Sequence, residues 1–231
     1  MTGRPGAPAR GRYSFDDDGV FDLLRGVAAL TGNPIVTDLA ASIAEAPRPD
    51  MSIAFNHKQI GSKLWLREEV AATIGPAQRN FLIVGGWYGV LSALLLNDER
   101  FASAKVTSLD IDPSCAPVAR ALNRRFVDGG RFDALTGDMN TFDYSSGDAL
   151  AFDCVINTSC EHTPDVRGWL SKVRAGTAMV LQSNDYRREP DHVSCVSNLA
   201  EFESQTGLSS IEFRGERPTK NYRRFMLIGR R

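Results

Sequence analysis

The chain has 231 residues, 42% hydrophobic and 24% charged, which suits one globular domain with a substantial core. Its net charge of −1 gives no electrostatic case for nucleic acid or an anionic membrane as partner. No apolar run approaches the roughly 20 residues that span a bilayer.

Cys115, Cys154, Cys160 and Cys195 are scattered, with no CxxC pair and no histidine at metal-ligand spacing, so no metal is expected. Free thiols in a reducing cytoplasm are the simplest account.

Residues 1–13 hold Gly, Pro and three arginines but no apolar block, and read as a disordered tail rather than a signal peptide. Three dispersed arginines make a thin footprint for RNA. Residues 14–75 read as an N-terminal helical cap. Asp16, Asp17 and Asp18 precede Val20, Phe21, Leu23, Leu24, Val27 and Leu30, an acidic start on an amphipathic helix that stops near Gly32-Asn33-Pro34. A second helix covers about Val36 to Ala46, before Pro47-Arg48-Pro49. A third runs from about Ile60 to Ile74 and closes at Gly75-Pro76. The apolar face of these helices suits a homodimer.

Residues 76–231 form the core domain. Strands are expected at Phe81–Val84, Lys105–Asp110, Phe132–Thr136, Ala151–Asn157 and Ala178–Gln182. Helices fall near Val90–Asn97, Ala116–Phe126, Val166–Lys172 and Asn198–Thr206. Such alternation predicts a parallel sheet covered on both faces. Ser209–Arg214 and Arg223–Ile228 then follow as two strands with only a polar turn between them, an antiparallel hairpin closing the sheet.

Within this pattern, Phe81-Leu82-Ile83-Val84 leads into Gly85-Gly86-Trp87-Tyr88-Gly89, and the next strand ends Ser108-Leu109-Asp110. Glycines let a backbone turn tightly and approach a ligand, and a carboxylate at the following strand tip can accept from both hydroxyls of a ribose. The combination points to a nucleoside-containing cofactor. A nicotinamide dehydrogenase would show G-x-G-x-x-G, which this turn fits poorly, and the closing hairpin also disfavours it.

At this point the chain resembles the class I S-adenosylmethionine-dependent methyltransferases, over roughly Phe81 to Arg231. The resemblance implies an α/β, Rossmann-like, seven-stranded, mostly parallel sheet with the C-terminal antiparallel hairpin, and S-adenosyl-L-methionine as cofactor. Gly85 and Gly89 match the outer glycines of the loop around the cofactor's methionine part, with Gly86 and Trp87 between them. Asp110 matches the ribose carboxylate and Ile111 the apolar residue beside the adenine. Asp138 matches the acceptor of the adenine amino group, with Met139 as its stacking neighbour. Asn157 ends the fourth strand, which faces the reacting methyl. The family's acidic residue ahead of the glycines is replaced by Ile83, and its central glycine by Trp87. The cofactor's amino group then needs another partner, a backbone carbonyl or a residue of Asn56-His57-Lys58-Gln59. Lys63 and Trp65 either clamp the cofactor's carboxylate or pack the cap, and Trp87 and Tyr88 wall the pocket.

The fourth strand exits through Asn157-Thr158-Ser159-Cys160-Glu161-His162. The Asp/Asn-Pro-Pro-aromatic tetrad of amino-methylating DNA enzymes is absent, and so is the acid pattern of catechol O-methyltransferases. Glu161 beside the methyl suits a cationic nitrogen: it neutralises and orients it. Glu161 is therefore the catalytic candidate, with His162 as proton carrier. The competing readings are a helix-start acid for Glu161 and a structural hydrogen-bonder for His162.

Asn184, Asp185 and Tyr186 after the fifth strand, and Tyr222 before the last, read as substrate binders, with Arg223 and Arg224 able to take a carboxylate. Asp185 and Tyr186 also fit ordinary turn chemistry. His192 follows in the same polar cluster, though both it and His57 read as surface or loop residues rather than catalysts. Together these features predict a small amine or guanidine substrate. The segments around Glu161 and Asn184 are similar to those of free-arginine methyltransferases of streptozotocin-type natural-product pathways, so the guanidino group of L-arginine leads. A nucleic-acid or protein methyltransferase, or a non-catalytic cofactor-binding partner, are the alternatives.

Overall fold

Asn80–Val84 (β1) alternates its side chains between two buried faces, Phe81 and Ile83 on one and Leu82 and Val84 on the other. A strand with no wet face belongs inside a sheet covered on both sides. The computed structural model describes residues 17–46, 50–75, 80–144 and 152–231. In it β1 lies inside one seven-stranded sheet with Lys105–Asp110 (β2), Phe132–Thr136 (β3), Cys154–Asn157 (β4), Ala178–Asn184 (β5), Ser210–Pro218 (β6) and Arg223–Arg230 (β7). The order is β3-β2-β1-β4-β5-β7-β6, parallel through β5 and antiparallel at β7 and β6. This is the Rossmann-like α/β fold the sequence predicts, with its C-terminal hairpin. The tail and residue 151 of the expected fourth strand lie outside the described residues.

One face is covered by His57–Thr73 (α4), Val90–Leu96 (α5) and Cys115–Leu122 (α6), through Leu66, Val70, Leu91, Leu95 and Ala119. The other is covered by Val166–Leu170 (α8) and Leu199–Thr206 (α9), with Trp169 and Phe202 as the largest plugs. Asp17–Thr31 (α1) and Pro34–Glu45 (α2) pair with each other, and α2 packs on α6, so these helices form an outer layer over helices rather than over the sheet itself. Met51–Ala54 (α3) joins the same cluster, where Leu39, Met51 and Ala54 meet Tyr88, Val90 and Leu122. Leu23 and Leu30 of α1 remain exposed.

Several boundaries differ from the expected ones for identifiable reasons. The helix α4 starts three residues early because the Asn56 side chain accepts from the N–H groups of Lys58 and Gln59, capping it. The helix expected over Ala116–Phe126 breaks at Asn123 into α6 and Arg124–Asp128 (α7). Asn123 is buried, and its amide donates to the carbonyls of Ala119 and Gly89, so the break ties α6 to the glycine turn. The strand β5 extends two residues beyond Gln182 because Ser183 and Asn184 still pair with Phe225 and Arg224.

Candidate functional site

The strand order reverses between β1 and β4, and in open α/β sheets the crevice outside the carboxyl ends at such a point receives the ligand. Gly85–Gly89 leave β1 there, Asp110 ends β2, Gly137 and Asp138 follow β3, Asn157 ends β4, and Asn184 ends β5.

The turn after β1 is shaped by backbone demands. Gly85 and Gly89 have φ of 61° and 70°, the left-handed region that costs a side chain. A Cβ on Gly86 would meet the Ser108 Oγ at 2.0 Å, so β2 leaves room there only for hydrogen. Trp87 stands in the same left-handed region at φ 49°, a conformation that glycine adopts more readily than a bulky side chain. The strain is held by two contacts. The Trp87 N–H donates to Asp110 Oδ2 at 2.8 Å, and its ring stacks on Tyr88 at 5.0 Å between centroids. Tyr88 is buried, and its hydroxyl bonds Asp50 Oδ1 at 2.7 Å, fastening the turn to the start of α3.

Asp110 keeps its place at the tip of β2 by accepting from two backbone groups, Trp87 on Oδ2 and Asp112 on Oδ1 at 3.0 Å. The Ile111 side chain, 69% exposed, projects from the same tip. Beyond β3, Asp138 Oδ1 accepts from the backbone and side chain of Asn140. Met139 lies against Asn157, whose Nδ2 is 3.9 Å from its sulfur. The Asn157 Oδ1 accepts from the Ser159 N–H at 2.8 Å and turns the chain at the β4 exit. The cradle fits a nucleoside-bearing group: a backbone that admits close approach, a fixed carboxylate, and an uncovered apolar side chain beside it.

Past that cradle the chain makes a 3-10 turn at Cys160–His162. Glu161 lies there, 3% exposed, and does not cap the next helix, a job done by Asp165 through the Gly168 N–H. Its Oε1 accepts from Asn184 Nδ2 at 2.6 Å and lies 3.7 Å from Arg224 Nη1. Its Oε2 is buried and finds no partner among the described residues. Arg224 also donates to Gln182 Oε1 and to the Thr158 carbonyl, and Ser62 of α4 donates to the same Gln182 oxygen. Lys63, one residue on, bonds Gln59 at 2.6 Å. Burial, helped by Arg224 and opposed by Glu161, lowers its pKa from 10.5 to about 7. Lys63 is thus electrostatically joined to the Glu161–Arg224 cluster, while Trp65 bonds Glu69 and packs edge-on against Phe213.

The remaining candidates divide. Tyr186 and Tyr222 come together, with ring centroids 5.7 Å apart. Asp185 is committed to Arg223, accepting from its backbone N–H at 2.7 Å and its Nε at 3.3 Å, so it ties β5 to β7. His162 pairs with Asp191 at 3.1 Å and lies edge-to-face with His192 at 4.6 Å. Linear spacing gave no sign that these two histidines would meet, because the loop after β5 brings His192 back to the β4 exit. Tyr222 and Arg224 line a cavity of about 200 Å³ together with His57, Lys58, Arg217 and Lys220, a strongly basic wall. Of the residues offered for the cofactor's amino group, Asn56 is spent on the α4 cap and Gln59 on Lys63.

No family model matches this chain, and no curated protein matches it in sequence. Solved structures do match in fold. The N-methyltransferase NodS from Bradyrhizobium japonicum WM9, in complex with S-adenosyl-L-homocysteine, aligns over 84% of this chain and 97% of its own at 14% identity, with a TM-score of 0.60. The magnesium protoporphyrin IX methyltransferase ChlM from Synechocystis PCC 6803, with bound S-adenosylmethionine, covers 95% and 99% at 17% identity and a TM-score of 0.56. An O-methyltransferase family protein from Burkholderia thailandensis covers 94% and 84% at 18% identity and 0.52. The shared feature at these identities is the fold.

Proposed function

We propose that this chain is an S-adenosylmethionine-dependent methyltransferase acting on a small polar molecule. Its finer assignment is N-methylation of a basic metabolite, with the guanidino group of free L-arginine as leading substrate. The observation that carries the reading is the buried Glu161, held by Asn184 on one oxygen and open on the other, at the β4 exit beside the crevice. The cofactor assignment is supported by the cradle of Gly85, Gly86, Gly89, Asp110 and Ile111, and by like-folded enzymes that bind S-adenosylmethionine or its product.

When bound, S-adenosylmethionine supplies an electrophilic methyl for in-line displacement. The chain's own residues then position the acceptor. A guanidinium N–H donates to Glu161 Oε2, the acceptor left open by Asn184 and Arg224. An α-carboxylate enters the basic cavity lined by Lys58, Tyr222 and Arg224. The new N–CH3 bond requires loss of one proton from nitrogen. Lys63, with its pKa near 7, is partly uncharged at neutral pH and is the basic group coupled to this cluster.

Mass spectrometry of L-arginine incubated with the protein and S-adenosylmethionine tests both levels. Methylated arginine with S-adenosylhomocysteine is the expected result. If calorimetry finds S-adenosylhomocysteine binding but arginine stays unmodified, the substrate is wrong and the cofactor assignment stands. No binding of S-adenosylhomocysteine would overturn the methyltransferase reading itself.

A further inference from the structure

We infer that Glu161, His162 and His192 form a binding site for a divalent transition-metal cation at the exit of β4. Each offers one ligand atom, and these atoms lie within 4.8 Å of one another. Bringing three such atoms onto one cation at about 2.0–2.2 Å draws them together by roughly 1 Å, a movement open to His162, whose side chain is 40% exposed.

Two further features single this cluster out from a chance meeting of polar groups. The first is Glu161 Oε2, which is buried and unpartnered while Oε1 takes the hydrogen bond from Asn184 and the approach of Arg224. The carboxylate is thus anchored by one oxygen and unpartnered at the other. The second is the pair of acceptors behind the imidazoles. His162 Nδ1 faces Asp191 Oδ2 at 3.1 Å, and His192 Nδ1 faces the Tyr186 carbonyl at 2.5 Å. A proton held on each Nδ1 leaves each Nε2 lone pair for a ligand, the arrangement found behind metal-binding histidines. Cys195 lies 3.7 Å from His192 Nδ1, on the opposite edge of the ring from that lone pair.

Two imidazoles and one carboxylate suit Zn2+, Fe2+ or Co2+ better than Mg2+ or Ca2+. Three protein ligands leave a coordination position for a substrate atom. The site leans on the methyltransferase reading only for that consequence. A cation and a guanidinium compete for Oε2, so a bound metal would exclude a guanidino substrate from the pocket.

The test is calorimetric titration of the full chain with Zn2+, alongside the visible spectrum with Co2+. One equivalent binding at micromolar Kd or tighter, with d–d bands of a low-coordinate Co2+ site, is expected. His162→Ala and His192→Ala should each weaken binding at least tenfold, and Asp191→Asn, which touches the metal only through His162, by about 10-fold or more. His57→Ala should leave it unchanged. Binding weaker than millimolar, or binding indifferent to the two histidine variants, would overturn the site. Glu161→Gln, checked for folding by circular dichroism, must also weaken binding; if it does not, the histidines act as a surface pair and the site is wrong. S-adenosylhomocysteine calorimetry on the same sample reads the methyltransferase assignment separately, so either can fail alone.

Discussion

The Trp87 N–H donates to Asp110 Oδ2 at 2.8 Å, so the strained turn after β1 and the carboxylate of β2 hold each other in place. Asp110 therefore does two things: it fixes a residue in left-handed backbone and presents a carboxylate at the crevice. Asp110→Ala should lower S-adenosylhomocysteine affinity at least tenfold in calorimetry. It should also cost about 1.5–3 kcal/mol of stability in denaturant unfolding, the usual loss for a hydrogen bond to a charged group. Loss of affinity with stability intact would separate the two roles, and no change in either would sink both.

Glu161 makes the opposite separation. Glu161→Gln keeps a side-chain oxygen to accept from Asn184 Nδ2, so the pocket wall should survive. The negative charge at the open oxygen is lost. S-adenosylhomocysteine affinity should stay within about twofold while kcat falls about 100-fold or more, the scale for removing one electrostatic contact at a reacting centre. Normal turnover on the true substrate would remove Glu161 from the chemistry.

How far this was legible in the sequence follows from which forces act locally. The strands β1, β2 and β3 and the turn between them were readable, because buried apolar runs and glycine requirements are written in adjacent residues. The start of α4 was missed although its cap, Asn56, was in view, since the apolar pattern begins only at Ile60. The Glu161 cluster was half legible. Strand ends place Glu161 and Asn184 near each other, but the choice of Arg224 over Arg223 depends on the antiparallel register, which pairs Asn184 with Arg224. Alternation then buries Arg224 and sends Arg223 outward to Asp185. The nearness of His192 to His162 gave no signal, since it depends on the path of a loop.

Gly86 offers a packing test of the cradle. Its missing Cβ is replaced in space by the Ser108 Oγ, at 2.0 Å from where that Cβ would stand. Gly86→Ala should cost about 1–3 kcal/mol, the range for overpacking a filled interior, and weaken S-adenosylhomocysteine binding. Adding Ser108→Ala removes the clashing oxygen and leaves the Ser108 Cβ position at 3.2 Å, a contact small shifts can absorb. The double variant should recover at least half of the lost stability in thermal unfolding. If it is no more stable than Gly86→Ala alone, the close approach of β2 is not what excludes a side chain.

Lys63 predicts how the protein responds to pH. Its folded pKa is lowered from 10.5 to about 7, chiefly by burial. Between those values the unfolded chain binds the proton and the folded chain does not, so unfolding free energy rises with pH across that window. Below pH 7 both states are protonated, and the fold carries the full penalty of a buried ammonium beside Arg224. Above 10.5 neither is, and the penalty is gone. Lys63→Met keeps the stem and removes the titration, so the urea midpoint should lose most of its rise between pH 7 and 10. The same variant reads the chemistry. If neutral Lys63 takes the substrate proton, kcat in the parent protein should climb as pH passes through about 7, and Lys63→Met should lose that limb. A variant with the stability effect and an unaltered kcat profile would leave Lys63 a buried cation of the scaffold and assign the proton to another group.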